Sequence, residues 1–116
     1  MAIVVTGVGV VSALGVGVER NLASLREGAS GISQHPTLLK TSHRLPVGEL
    51  NMSNEELHNL LGISPREHLS RTALLGILAV REALQNIDMS NPTRIGLVSS
   101  TSVVSFFLYA CLFSKI

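Results

Sequence analysis

The chain has 116 residues, 46% of them apolar, and a mean hydropathy of +0.40, which suits one domain with a modest core and excludes wholesale disorder. Nine basic residues against eight acidic ones leave a net charge of +1; with no cluster of either sign, the basic face that nucleic-acid binding requires is excluded. A single cysteine, Cys111, rules out an internal disulfide framework and fits a reducing compartment, and no basic stretch precedes an apolar core in the manner of a secretory signal.

Ala2 to Thr6 is β-branched and apolar on both faces, which predicts a strand buried on two sides. Glycines 7, 9, 15 and 17 mark a turning loop. The apolar run from Ala2 to Val18, broken by these four glycines, therefore reads as strand and turn, not as a membrane span. Val18 to Glu27 follows as a helix, with Val18, Leu22 and Leu25 on one stripe and Gly28 just past its end. Ala29 to Arg44 is irregular, and Leu45 to Leu50 suits a short strand. Ser53-Asn54-Glu55-Glu56 is a capping box opening a short helix with Leu57, Leu60 and Leu61, closed by Gly62. Ser64-Pro65-Arg66-Glu67 reads as a second box with proline at the first helical position. From there one helix is predicted to about Ile87, striped by Leu69, Ala73, Gly76, Ile77, Val80, Leu84 and Ile87. Its centre, Ala73 to Val80, is apolar all round and needs cover on more than one face, while Arg66, Glu67, Arg71, Arg81 and Glu82 at its ends can reach water. Asn91-Pro92 is a turn, and Arg94 to Ser100 reads as an inner strand. This order favours an α/β fold with a parallel sheet.

Four segments carry a family likeness. Within Val4 to Gly15 the chain matches V-T-G-x-G-x-V-S-x-x-G. Leu25 followed by Gly28-Ala29-Ser30-Gly31-Ile32 matches L-x-x-G-x-S-G-I. Ser70-Arg71-Thr72-Ala73 and Ala79-Val80-Arg81-Glu82-Ala83-Leu84 are similar to a helix of the form R-x-x-x-x-A-x-x-A-x-x-E-A-L, and Arg94 to Thr101 is similar to the strand that follows it. In this order and spacing the pieces resemble the opening of the β-ketoacyl-acyl carrier protein synthases, the condensing enzymes of fatty acid synthesis. The resemblance implies a partial thiolase-like fold, the opening strands and helices of the N-terminal half. It also implies acyl transfer and decarboxylative carbon–carbon bond formation on acyl carrier protein substrates, by a cytoplasmic homodimer. In that family a cysteine thiolate at a helix N-terminus takes the acyl group, and two histidines, or a histidine and an asparagine, promote decarboxylation and hold the enolate oxygen. The resemblance covers residues 1 to 102 and implies that these groups lie past the end of the chain.

The likeness ends near Val103. All three phenylalanines (106, 107, 113), the sole tyrosine (109) and Cys111 fall in the last fourteen residues. Residues 103–116 therefore read as an atypical hydrophobic tail of different origin, from a frameshift, a premature stop or a mispredicted gene end; a genuine short paralogue is the alternative. Val103 to Phe113 falls short of the ~20 residues a spanning helix needs, and as an uncharged stretch of high β propensity it is an aggregation hazard if exposed.

The candidate sites each have a plain structural explanation. Cys111 sits among Leu, Tyr and Phe, without the small-residue setting of a nucleophile. His35, His43, His58 and His68 show no metal-ligand spacing; the first two lie in a loop, and the others on exposed helix flanks, as solvated surface residues. Gly7-Val8-Gly9 invites a dinucleotide-binding reading, but Ser12 stands where the fingerprint wants a third glycine. Close packing of the strand–loop segment explains these glycines better. No catalytic, cofactor-binding or metal-ligating residue is assigned. The function expected is that of an inactive fragment of a condensing synthase; the alternatives are a non-catalytic partner subunit and a small nucleotide-binding α/β module.

Overall fold

The structure, a computed structural model, describes residues 2–88, 90, 96 and 98–100. Its order is β1 (Val11–Ser12), β2 (Gly15–Val16), α1 (Val18–Arg26), β3 (Ile32–Ser33), β4 (Val47–Gly48), α2 (Asn54–Leu61), a 3-10 turn (Pro65–Glu67) and α3 (Arg71–Leu84). This is a small α/β arrangement, but the sheets differ from expectation. β1 pairs with β2, and β3 with β4, each as a two-residue antiparallel ladder. Val11 faces Val16 in the first ladder, and Ile32 faces Gly48 in the second. Among the described residues there is no parallel pairing.

Ala2 to Thr6 forms no strand, and Ile3 and Val5 are 94% and 83% exposed. The propensity of these residues is for a pleated, packed surface, and no ladder partner or covering layer lies against them among the described residues. Of the expected strand over Arg94 to Ser100, residues 96 and 98–100 carry no strand, and residues 94, 95 and 97 lie outside the described residues. So do the tail from Val103 and Cys111.

The helices follow the capping signals closely. In α2 the Ser53 hydroxyl accepts from the Glu56 amide at 3.2 Å, and the Glu56 carboxylate accepts from the Ser53 amide at 2.6 Å. Gly62 closes the helix in the left-handed region at φ 66°. The predicted long helix from Ser64, however, is two elements. Ser64 caps only the 3-10 turn; His68 then turns left-handed at φ 49°. Ser70 starts α3 afresh, its hydroxyl accepting from the Ala73 amide at 3.2 Å. Two serine caps six residues apart compete, and the second wins because it sets Leu69, Ala73 and Ile77 against one core.

That core lies between α2 and α3. Leu57, Leu61, Ile63, Ala73, Leu74 and Ile77 are buried, with Leu50, Met52 and Leu69 among the half-buried residues packed on them. The apolar centre of α3 is thus covered fully on the α2 side and partly elsewhere. α1 departs from its sequence pattern: Leu25 is 64% exposed, and the buried residues are Asn21 and Ser24. Hydrogen bonds, not apolar area, decide which face of α1 turns inward.

Candidate functional site

The glycine-rich opening lies along α3. A Cβ added at Gly7 would stand 1.9 Å from the Ala83 carbonyl oxygen, and one at Gly9 would stand 1.9 Å from the Ala79 carbonyl oxygen. These are backbone-to-backbone contacts that no side chain at either position permits. The next residues are tied down by Glu82, which the sequence placed at a solvated helix end. Its carboxylate accepts from the Val10 amide at 2.9 Å and from the Val18 amide, at the first turn of α1, at 2.7 Å. One carboxylate on α3 thereby joins the loop before β1 to the start of α1, where negative charge suits the helix dipole.

Asn21 completes this knot from within α1. Its side-chain amide donates to the carbonyls of Gly15 (3.0 Å) and Gly17 (2.8 Å), and the Ser12 hydroxyl donates to its side-chain oxygen. The Val10 carbonyl accepts from the Gly17 amide at 2.9 Å. These polar groups are therefore consumed in holding the segment's own shape. Carbonyl oxygens of α3 face both Gly7 and Gly9, a lining that repels phosphate, so the close-packing explanation of these glycines accounts for the geometry and the dinucleotide reading does not.

A second feature lies at the N-terminal end of α3. A cleft of about 640 Å³ is bounded by Leu38, Leu39, β4, Leu50, the start of α2 and Arg71 and Leu75 of α3. Arg71 is not a solvated end residue. Its guanidinium donates to the carbonyls of Leu50 and Met52, both at 2.8 Å, and to the Asn54 side-chain oxygen at 3.0 Å. Arg81 likewise donates to the Leu61 carbonyl at 2.5 Å. Glu49 also lines the cleft, and its carboxylate accepts from three successive amides: Thr37 at 2.8 Å, Leu38 at 3.0 Å and Leu39 at 2.6 Å. The Leu38 amide foremost, then those of Leu39 and Thr37, overcome desolvation and hold its pKa down at about 2.

The histidines do not assemble. His35, His43 and His68 are exposed, and His68 lies in the turn before α3, not on a helix. His58 corrects the expectation of a surface residue: it is only 6% exposed, with Nδ1 at 3.1 Å from the Ile63 carbonyl. It is a core residue with a polar partner. Among the described residues no group of three or more His, Cys, Asp or Glu side chains is placed to hold a metal ion, and no helix is long and apolar enough to cross a membrane. The roles of Glu82, Arg71 and Glu49 had no local sequence signal, since their partners lie ten to 72 residues away. For Arg71 and Glu82 the one hint was charge on a largely apolar helix; for Glu49 there was none.

Comparison with known proteins bears on what this arrangement belongs to. A family model described as the N-terminal domain of β-ketoacyl synthase matches residues 1–106. Over 107 residues the chain is 31% identical to 3-oxoacyl-[acyl-carrier-protein] synthase 1 of Haemophilus influenzae; the match covers 82% of this chain and spans 24% of that protein's length. No solved structure matches the chain.

Proposed function

The chain belongs to the β-ketoacyl synthase family, and from that premise we propose that it is scaffold from the opening of a condensing enzyme. The parent reaction transfers an acyl group and joins it to a malonyl unit with loss of carbon dioxide, on acyl carrier protein substrates. The observation carrying this reading is the match over residues 1–106, which includes both the glycine-rich segment and α3. Those two pieces lie against each other through Gly7, Gly9 and Glu82, so the motif residues act as packing and fastening groups.

The residues of this chain carry out no step of the chemistry in this proposal. The sole thiol, Cys111, has leucine, tyrosine and phenylalanine around it in sequence, a setting that disfavours the thiolate. His58 is committed to the Ile63 carbonyl. We divide the chain into a synthase-like part, residues 1–102, and an apolar tail, residues 103–116, although the family match continues to 106. A cytoplasmic setting, homodimeric assembly and an acyl carrier protein partner belong to the same proposal, by way of the parent enzymes. The test is a condensation assay with the purified chain, acyl and malonyl thioesters of acyl carrier protein. No 3-oxoacyl product is expected; product above the enzyme-free rate overturns the proposal.

A further inference from the structure

The contact between Glu49 and residues 37–39 has no part in the packing of the glycine segment and lies outside the buried core. Three consecutive backbone amides donate to one carboxylate, an anion-binding concavity of the kind successive N–H groups form, already filled by the chain's own side chain. The Thr37 hydroxyl adds a further contact to Glu49 at 3.0 Å and another to the Asn51 side-chain oxygen at 2.7 Å. Leu38 and Leu39 line the 640 Å³ cleft together with β4, Glu49 and the start of α3. They are 41% and 51% exposed, so apolar burial holds them only weakly. Residues 40–46 after them are exposed throughout and carry no helix or strand.

We propose that residues 37–39 are a strap closed over this cleft by the Glu49 carboxylate, and that acid opens it. The strap's three amides depend on one ionised group, so losing that charge removes the attraction at all three together. The carboxyl titrates at about 2 in the folded chain against an ordinary 4.5. A depressed folded value means that closure is fully favoured above about 4.5 and is lost as pH falls toward about 2. Arg71 is the other charged residue lining the cleft, and its guanidinium is engaged by Leu50, Met52 and Asn54. The remaining titratable groups of this loop, His35, Lys40, His43 and Arg44, are exposed. In α2 the nearby Glu56 is bound to the Ser53 amide.

The experiment is amide hydrogen exchange with residue resolution on the whole chain, expressed as protection factors to remove the intrinsic pH effect. At neutral pH, Glu49→Gln is expected to lower the protection of the Thr37, Leu38 and Leu39 amides at least ~10-fold while Leu74 and Ile77 of α3 keep theirs. Glu56→Gln, which removes a carboxylate within α2 instead, should leave the strap amides unchanged. Unchanged strap protection in Glu49→Gln overturns the proposal. Because that variant could fail to fold, the wild-type Glu49 side chain is also titrated by carbon NMR. A midpoint near 2 supports the latch, and one at the ordinary carboxylate value overturns it.

Discussion

Gly9→Ala tests the close approach of the opening loop to α3. The new methyl would stand 1.9 Å from the Ala79 carbonyl oxygen and 2.8 Å from its carbon, roughly 1.5 Å inside ordinary van der Waals contact. Neither partner can swing away, since both are backbone and Ala79 lies within α3. The loop must lift, at about 1–3 kcal/mol for the overpacking. Lifting carries Val10 with it and breaks its 2.9 Å bond to Glu82, worth about 1.5–3 kcal/mol for a charged acceptor. Together these give about 2.5–6 kcal/mol, a large part of the typical 5–15 kcal/mol margin. Urea unfolding followed by circular dichroism would show it as a midpoint lower by about 2 M for an m-value near 2 kcal/mol/M. A Gly9→Ala midpoint within about 0.25 M of wild type, about 0.5 kcal/mol at that slope, would refute the packing described. A double-mutant cycle with Glu82→Ala should also show coupling above about 0.5 kcal/mol, because the two changes share the Val10 contact.

Glu82→Ala alone removes the acceptor for two amides and is expected to destabilise by about 3–6 kcal/mol, read from the same unfolding curves. Gly76→Ala should go the other way. Space beside Gly76 is open to 4 Å and it lies inside α3, so helix propensity favours alanine by about 0.5–1 kcal/mol. The capping box predicts a pH effect. The Ser53 amide foremost holds the Glu56 carboxyl below its ordinary 4.5, so the box contributes fully above that value and weakens as pH falls below it. Amide protection in α2 should fall correspondingly in acid, and Glu56→Gln should flatten that dependence.

Local signals were legible where the physics is local. Ser53, Glu56 and Gly62 bound α2 as the sequence predicts, because a capping box satisfies its donors within three residues. The core was half legible: Leu57, Leu61, Ala73 and Ile77 were on the expected stripes, while Leu22 and Leu25 were on a stripe that faces solvent. Periodicity records which face is apolar, but Asn21 and Ser12 supply bonds that turn the other face inward. The break at His68 was missed because two serine caps are equally strong in sequence and tertiary contact chooses between them. Element order points to parallel pairing, yet the ladders among the described residues are two-residue antiparallel pairs, β1–β2 a tight hairpin and β3–β4 joined across residues 34–46. The family itself was legible from glycine spacing, for a reason the structure supplies: Gly7 and Gly9 meet backbone, so no larger residue fits. Glu82 looked like an ordinary helix-end charge because its two amide partners sit 64 and 72 positions earlier.

That separation has a consequence for synthesis. The residue that fastens Val10 follows it by 72 positions, which at about 5–20 residues per second is roughly 4–14 s of translation. For that interval Gly7 and Gly9 have no α3 backbone to lie against and the Val10 and Val18 amides have no Glu82 carboxylate, so a ribosome-bound nascent chain would present the glycine-rich segment unfastened to chaperones or to its neighbours on a polysome. A synonymous change that slows elongation between codons 10 and 82 should lengthen that window and lower the yield of folded chain without altering a single residue.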